Sequence, residues 1–343
     1  MRVFIELPTW LGDGVMASAA VEQLRRFCQN FDREAAAKGA QENVKTEFVF
    51  FGSAVCVQLF SQDECGVKFV KDESKKARFR LLWLLKKGLE IRKEFGEFDL
   101  AVSFRGAFAS RFLQRFLKAK AKAVFDKTAL PSPTHQVVRY TKFLTSVLRK
   151  NFDQNYNETP CKPTLKFVKF EFDKPTLAIA PAAAFGSAKC WLAERFAQFG
   201  AAFKTEFDIV ILGAKGEERI CDEIFSNLEK NGVKAKNLCG KTSVKELCET
   251  VAGASLVVCN DSGIMHIAAA YERPCVAIFG PTKSDETSPF ANPNARILKA
   301  DLACMPCMKR VCPLATHECM KAVLATQAVA AAREILSKEA ENG

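Results

Sequence analysis

The chain has no run of about 18 apolar residues, so no segment is long and apolar enough for a membrane-spanning helix. It has no Gly-x-Gly-x-x-Gly, which removes the dinucleotide fingerprint and disfavours a nicotinamide oxidoreductase. It has no Asp-x-Asp either. Enzymes that hold a sugar-nucleotide diphosphate through a divalent cation commonly use such a pair of oxygen ligands. A diphosphate bound here is therefore expected to be neutralised by lysine and backbone amides. Three histidines (His135, His266 and His317) leave no Ser/His/Asp or Cys/His nucleophile set. No base-reading motif or aromatic-studded basic sheet is present, which argues against a nucleic-acid partner. Repeats and low-complexity tracts are absent. Met1–Leu7 is charged within its apolar run and lacks a signal-peptide core, so a cytoplasmic address is expected.

What is present suits two globular domains: 343 residues, 48% of them hydrophobic. Fourteen cysteines then belong in a reducing compartment as small core residues. Charge is uneven. Residues 1–170 hold 30 Lys and Arg against 18 Asp and Glu, whereas residues 171–343 hold 20 against 21. The basic half calls for an anionic partner, and nucleic acid, an acidic membrane surface and a phosphorylated glycolipid all qualify on charge.

Strand and helix signals alternate throughout. A strand is expected over Arg2–Leu7, a loop from Pro8 to Gly14 and a helix from Val15 to Asn30, with further strands over Glu47–Phe51 and up to Ser103. Asn151–Lys174 has two prolines and little periodicity, as a linker would. A second series runs from a strand at Thr176–Ala180 to one at Cys275–Phe279. Two Rossmann-like α/β halves with parallel sheets follow, and a cleft between them is expected.

Val257–Thr282 carries the densest signal. Two β-prone runs flank Asn260-Asp261-Ser262-Gly263, after which a helix begins. Asp and Ser are good N-caps, and the amides of a first helical turn also make an anion site. His266 lies about one turn in. The first βα turn, Leu7–Gly14, offers Asp13 between Gly12 and Gly14, as a helix cap or as a general base; a helix dipole there would keep it ionised. The loop Ala180–Trp191 is rich in small residues and carries Lys189, a point charge suited to phosphate. Lys75–Lys93 is basic and amphipathic, either packing with a solvated face or adsorbing to an anionic bilayer. Cys304, Cys307, Cys312 and Cys319, with His317 nearby, either hold zinc or an iron–sulfur cluster or form a compact loop of reduced thiols.

P-T-W-L-G-D-G-V-M-A-S (8–18), F-G-S-A-K-C-W (185–191) and N-D-S-G-I-M-H-I-A-A-A…R-P…A-I-F-G-P-T (260–282) closely resemble motifs of the bacterial lipopolysaccharide heptosyltransferases of glycosyltransferase family 9. The second and third are nearer to the type II branch, which has a loop similar to C-M-P-C…C-P…H-x-C-M. The resemblance implies a GT-B fold, with two Rossmann-like doubly wound domains facing an interdomain cleft. An acceptor-binding domain is expected at 1–160, a linker at 161–174, an ADP-sugar-binding domain at 175–325 and a C-terminal helix at 326–343. It implies inverting, metal-independent transfer of L-glycero-D-manno-heptose from ADP-heptose, without cofactor. The acceptor would be the first heptose on an anionic lipid A–Kdo core at the cytoplasmic face of the inner membrane, with another core acceptor or donor sugar as the alternative.

By the same resemblance Asp13 is the base and Lys189 stabilises leaving ADP. Asp261 binds heptose hydroxyls, while Ser262, Gly263 and His266 cradle the phosphates. Phe185, Gly186, Ser187, Gly213 and Met265 complete the donor side. Trp10, Arg105, Arg111 and Arg139 are candidates for the acceptor. Ala182, Ala184 and Cys190 depart from the residues usual in the family.

Overall fold

Short β-branched and aromatic runs alternate with helices along the chain, and the central runs are buried on both faces, as strands of a helix-covered parallel sheet must be. The computed structural model describes residues 1–37, 45–62, 66–157 and 161–342. The chain divides into two units, residues 1–166 and residues from 167 onward.

In the first unit β1 (Arg2–Glu6), β2 (Glu47–Gly52), β3 (Val67–Lys71), β4 (Glu97–Ser103) and β5 (Lys118–Val124) form an all-parallel sheet in the order β3-β2-β1-β4-β5. The helices are α1 (Leu11–Ala37), α2 (Ala54–Leu59), α3 (Arg80–Phe95), α4 (Phe108–Phe116) and α5 (Gln136–Asn151). Side chains alternate across a strand. Phe4, Val49, Phe51 and Phe98 therefore pack on α3 and α4 through Leu84, Ile91 and Leu113. On the opposite face the Arg25 guanidinium of α1 lies over the rings of Phe48 and Phe50.

Two helix starts differ from expectation. α1 begins at Leu11, not Val15, because the Gly14 N–H already donates to the Trp10 carbonyl at 2.9 Å. Gly14 serves packing rather than a loop, since a Cβ there would meet Cys56 Sγ and Leu59 Cδ2 of α2 at 3.0 Å. α3 begins at Arg80, not Lys75; Ser74–Lys76 is a separate 3₁₀ turn whose first N–H donates to Asp72 at 3.0 Å.

The second unit comprises β6 (Thr176–Ala180), α6 (Ala193–Ala201), β7 (Asp208–Ile211), α7 (Glu218–Lys230), β8 (Ala235–Asn237), α8 (Val244–Gly253), β9 (Leu256–Asn260), α9 (Gly263–Ala270), β10 (Cys275–Phe279), α10 (Ser284–Thr287), β11 (Ala295–Lys299), α11 (Glu318–Lys321) and α12 (Ala325–Asn342). Its parallel sheet runs β11-β10-β9-β6-β7-β8. In both sheets the order reverses beside the first strand, giving a switch point between β1 and β4 and another between β6 and β9, where open α/β folds bind ligands. α12 lays Ala328, Ala332 and Ile335 into the core at helical spacing.

Residues 161–172 contain neither helix nor strand. Within that stretch the Phe170 N–H donates to the Glu249 carbonyl at 3.0 Å, and the Tyr271 hydroxyl donates to the Phe167 carbonyl at 3.1 Å. The expected boundary at residue 160 and the final residue, 343, lie outside the described residues.

α3 and α4 touch at Gly88, where a Cβ would stand 2.9 Å from Cβ of Phe116 and 3.4 Å from Cδ1 of Leu113. A leucine side chain has no room there. Gly88→Leu is expected to destabilise the first unit by about 1–3 kcal/mol through overpacking, read as a lowered midpoint in urea unfolding followed by circular dichroism.

Candidate functional site

Three strands of the second unit deliver polar residues to one point at their carboxyl ends. β6 leads into the turn carrying Lys189, β9 ends at Asn260 and Asp261, and β10 is followed by Thr282. Lys189 Nζ is 2.5 Å from Asp261 Oδ2, and the Thr282 hydroxyl donates to the same oxygen at 2.6 Å. All three side chains are largely buried. Asn260 ties the strand end to the neighbouring loop: its Oδ1 accepts the Trp191 N–H at 3.0 Å and its Nδ2 donates to the Pro181 carbonyl at 2.5 Å. The ring centroid of Phe185 lies 4.9 Å from Lys189 Nζ, a cation–π contact.

Asp261 and Ser262 do not cap α9 through their side chains. Ser262 is the N-cap residue by position but makes no cap hydrogen bond, and its buried Oγ has no partner. Asp261 is occupied by Lys189 and Thr282. The first turn of α9 thus has no side-chain cap from Ser262, and an unpartnered hydroxyl lies beside it. His266 is buried in α9, and Met265 is wholly buried, so its thioether is a core group. Ser187 is exposed and begins the 3₁₀ turn that ends at Lys189. Gly213, after β7, is required by packing, since a Cβ would stand 2.7 Å from Cys239 Sγ and 2.9 Å from Cys221 Sγ.

The cysteine loop supports this turn. The Ala188 N–H donates to the Arg310 carbonyl at 3.0 Å, and His317 Nε2 lies 3.1 Å from the Ala188 carbonyl. Gly186 has φ of 151°, and any Cβ there would collide with the Arg310 carbonyl, so only glycine allows the approach. Cys304, Cys307, Cys312 and Cys319 line one small cavity with Ala188 and Pro281. Among the described residues no set of three His, Cys, Asp or Glu has metal-holding geometry, and the cysteines are free. Amide N–H groups, that of His317 foremost, hold the Cys312 thiol below its ordinary range, while burial pushes Cys319 up.

In the first unit Asp13 lies in the opening turn of α1, half-buried, at the carboxyl end of β1. Trp10 beside it is exposed, with Lys75 Nζ 5.5 Å from its ring centroid. Arg105, after β4, does not reach outward. Its Nε donates to the Leu7 carbonyl at 2.6 Å, and its Nη1 pairs with Asp72 at 2.5 Å and Glu6 at 3.4 Å. Burial pushes the Glu6 carboxyl up against the opposing pull of Arg105. For Asp72 burial is the largest single influence and also acts upward, but the hydrogen bonds from Arg105 and Ser74 together with the Arg105 charge outweigh it and hold the carboxyl low.

Arg139 is removed from the acceptor candidates. It is buried and donates to the carbonyls of Thr134, Lys127, Leu130 and Pro131 at 2.7–3.1 Å, fastening the loop before α5. Arg111 is exposed on α4. Local reading missed Thr282; the available signal was a hydroxyl residue just past the end of a strand adjoining β9.

The description "Glycosyltransferase family 9 (heptosyltransferase)" fits residues 89–317. The chain is 39% identical over 325 residues to lipooligosaccharide heptosyltransferase 2 of Campylobacter jejuni, covering 94% of this chain and 95% of that protein. Its fold matches the Escherichia coli ADP-heptose LPS heptosyltransferase II structure with a TM-score of 0.75 at 20% identity, over 99% of both chains. An E. coli heptosyltransferase solved with ADP matches with a TM-score of 0.64 at 18% identity, over 88% of this chain and 94% of that one. Two parallel-sheet α/β units of GT-B type, read together with this identity along nearly the whole chain, make the protein a glycosyltransferase belonging to family 9, the heptosyltransferases.

Proposed function

We propose that the protein transfers L-glycero-D-manno-heptose from ADP-heptose to the first heptose of a lipid A–Kdo inner core, with inversion and without a divalent metal, at the cytoplasmic face of the inner membrane. The observation that carries this is the buried Lys189–Asp261 pair at the β6/β9 switch point, beside the free amides of α9 and the unpartnered Ser262 hydroxyl. One cation, a helix start and a spare donor suit a diphosphate; a carboxylate released from that cation suits sugar hydroxyls. The lack of Asp-x-Asp makes lysine and amides, rather than a bridging cation, the diphosphate's counter-charge.

In the proposed displacement the Asp13 carboxylate takes the proton of the acceptor hydroxyl as its oxygen bonds to C1 of the donor heptose. The C1–O bond to the β-phosphate breaks, and its electron pair leaves with ADP. Lys189 and the α9 amides offset that charge where it develops. Attack opposite the leaving group inverts C1. The excess of basic residues in 1–170 supports an anionic acceptor on that half.

Asp13→Ala is expected to abolish transfer while ADP-heptose binding by calorimetry stays nearly intact; turnover in that variant would remove Asp13 from the role. Lys189→Met leaves Asp261 buried with only a hydroxyl partner and is expected to destabilise the second unit by about 3–5 kcal/mol. Adding Asp261→Asn is expected to restore much of that stability but not donor affinity, in thermal melts with and without ADP. The whole assignment is tested by transfer from ADP-heptose to defined acceptors carrying one heptose or none. Activity confined to the heptose-free acceptor would overturn it.

A further inference from the structure

One face of the first unit has no protein covering it among the described residues. On α3, Leu84, Gly88 and Ile91 are buried against the sheet and α4. The opposite stripe, at the same helical spacing, is Leu82, Lys86, Leu89 and Lys93, all exposed. Leu82 and Leu89 are 49% and 46% exposed. Phe79, which precedes α3, is 63% exposed, and Phe108, which opens α4, is 67% exposed. Phe79 follows β3 and Phe108 follows β4, and all strands run parallel. Both aromatics therefore lie at the carboxyl edge of the sheet, the edge that also carries Trp10 and Asp13 after β1.

Exposed leucines and phenylalanines grouped on one helical layer mark an interaction surface, and the surrounding charge points to the chemistry of its partner. Residues 75–93 hold eight Lys and Arg against a single Glu. A protein groove that accepted the leucines would have to be strongly acidic all round them. An anionic bilayer supplies both halves at once: phosphate charge for the lysines at the headgroup level, and acyl chain for aromatic and leucine side chains a few ångströms deeper. Phenylalanines at the rim with basic residues beside them match an interfacial anchor rather than a spanning segment, for which no helix among the described residues is long and apolar enough.

We propose that the outer face of α3 and the start of α4 form the surface by which this protein seats on an anionic phospholipid bilayer, with Leu82, Leu89, Phe79 and Phe108 entering the interface and Lys86 and Lys93 meeting its phosphates. This deepens the function proposed above by naming the surface that meets the membrane, and rests on it only for the choice of a bacterial inner-membrane lipid. The parallel sheet gives the placement a use. The docked layer begins at the edge bearing Asp13, so a lipid-linked acceptor is met beside its proposed base without leaving the bilayer.

The test is co-sedimentation of the full chain with vesicles of phosphatidylethanolamine, phosphatidylglycerol and cardiolipin, against vesicles of phosphatidylcholine alone, with no acceptor present. Binding is expected on the anionic vesicles only, weakening sharply between about 0.1 and 0.5 M salt. Leu82→Glu with Leu89→Glu, and separately Lys86→Glu with Lys93→Glu, are each expected to lower partitioning about tenfold or more. Both are expected to keep wild-type melting curves and wild-type turnover on a deacylated, water-soluble acceptor. Equal binding to both vesicle types, or undiminished binding by both variants, overturns the proposal. So does absence of vesicle binding together with a dimer that Leu82→Glu with Leu89→Glu dissociates, since the face then belongs to a second copy of the chain. Vesicle binding that behaves as expected in a protein inactive on every heptose acceptor leaves this surface standing and removes the proposed reaction instead.

Discussion

The buried ion pair between Lys189 and Asp261 is the contact on which the rest of the second unit's working edge depends. Removing an ammonium and a carboxylate from water costs several kcal/mol apiece, which their attraction offsets only with good geometry and further hydrogen bonds. The neighbouring residues supply both. Thr282 takes one lone pair of Asp261, Phe185 makes a cation–π contact with Lys189, and Asn260 locks the ends of β9 and β6 together. Such a pair is costly to bury, and breaking it leaves one charge uncompensated. A hydrophobic pair of the same volume would hold the strands as well and bind nothing.

The first unit has a comparable charged knot at its own switch point, made of Glu6, Asp72 and Arg105, with a different outcome. There the cation is consumed by the fold, joining the ends of β1, β3 and β4 through two carboxylates and the Leu7 carbonyl. Glu6 also accepts from the hydroxyls of Ser103 and Ser110. The same edge carries exposed Trp10 and the first turn of α1 with half-buried Asp13. The two sheets share a topology and a place for polar residues. In one the cation is held by two carboxylates, in the other by one.

Much of the architecture was legible in the sequence because period and composition are local properties. The alternation of strands and helices and the parallel sheets follow from runs such as Val257–Cys259 and Cys275–Phe279. The starts of α1 and α3 are hidden in the sequence because Gly12 and Gly14 look like a loop until α2 is seen pressing on Gly14, and because the basic run from Lys75 looks continuous until Asp72 is seen fixing a separate turn. Site residues were legible as positions, not as partners. Lys189 and Asp261 stand 72 residues apart, and separate roles for them concealed their contact. Arg111 and Arg139 are the same letter in similar surroundings, yet one is on the surface and the other is spent on four carbonyls. The distinction between a binding arginine and a structural one is made by tertiary burial alone.

Gly186 carries a consequence for inheritance and for engineering. Its backbone is open because the carbonyl of Arg310, more than a hundred residues later, occupies the space where a side chain would be. The turn that presents Lys189 and the loop between Cys304 and Cys319 are therefore one part made from two distant pieces of chain. Recombination that takes the first piece from one parent and the second from another breaks it, however well each piece is matched to its own surroundings. The two segments are expected to change together or not at all, and a chimera boundary belongs outside both.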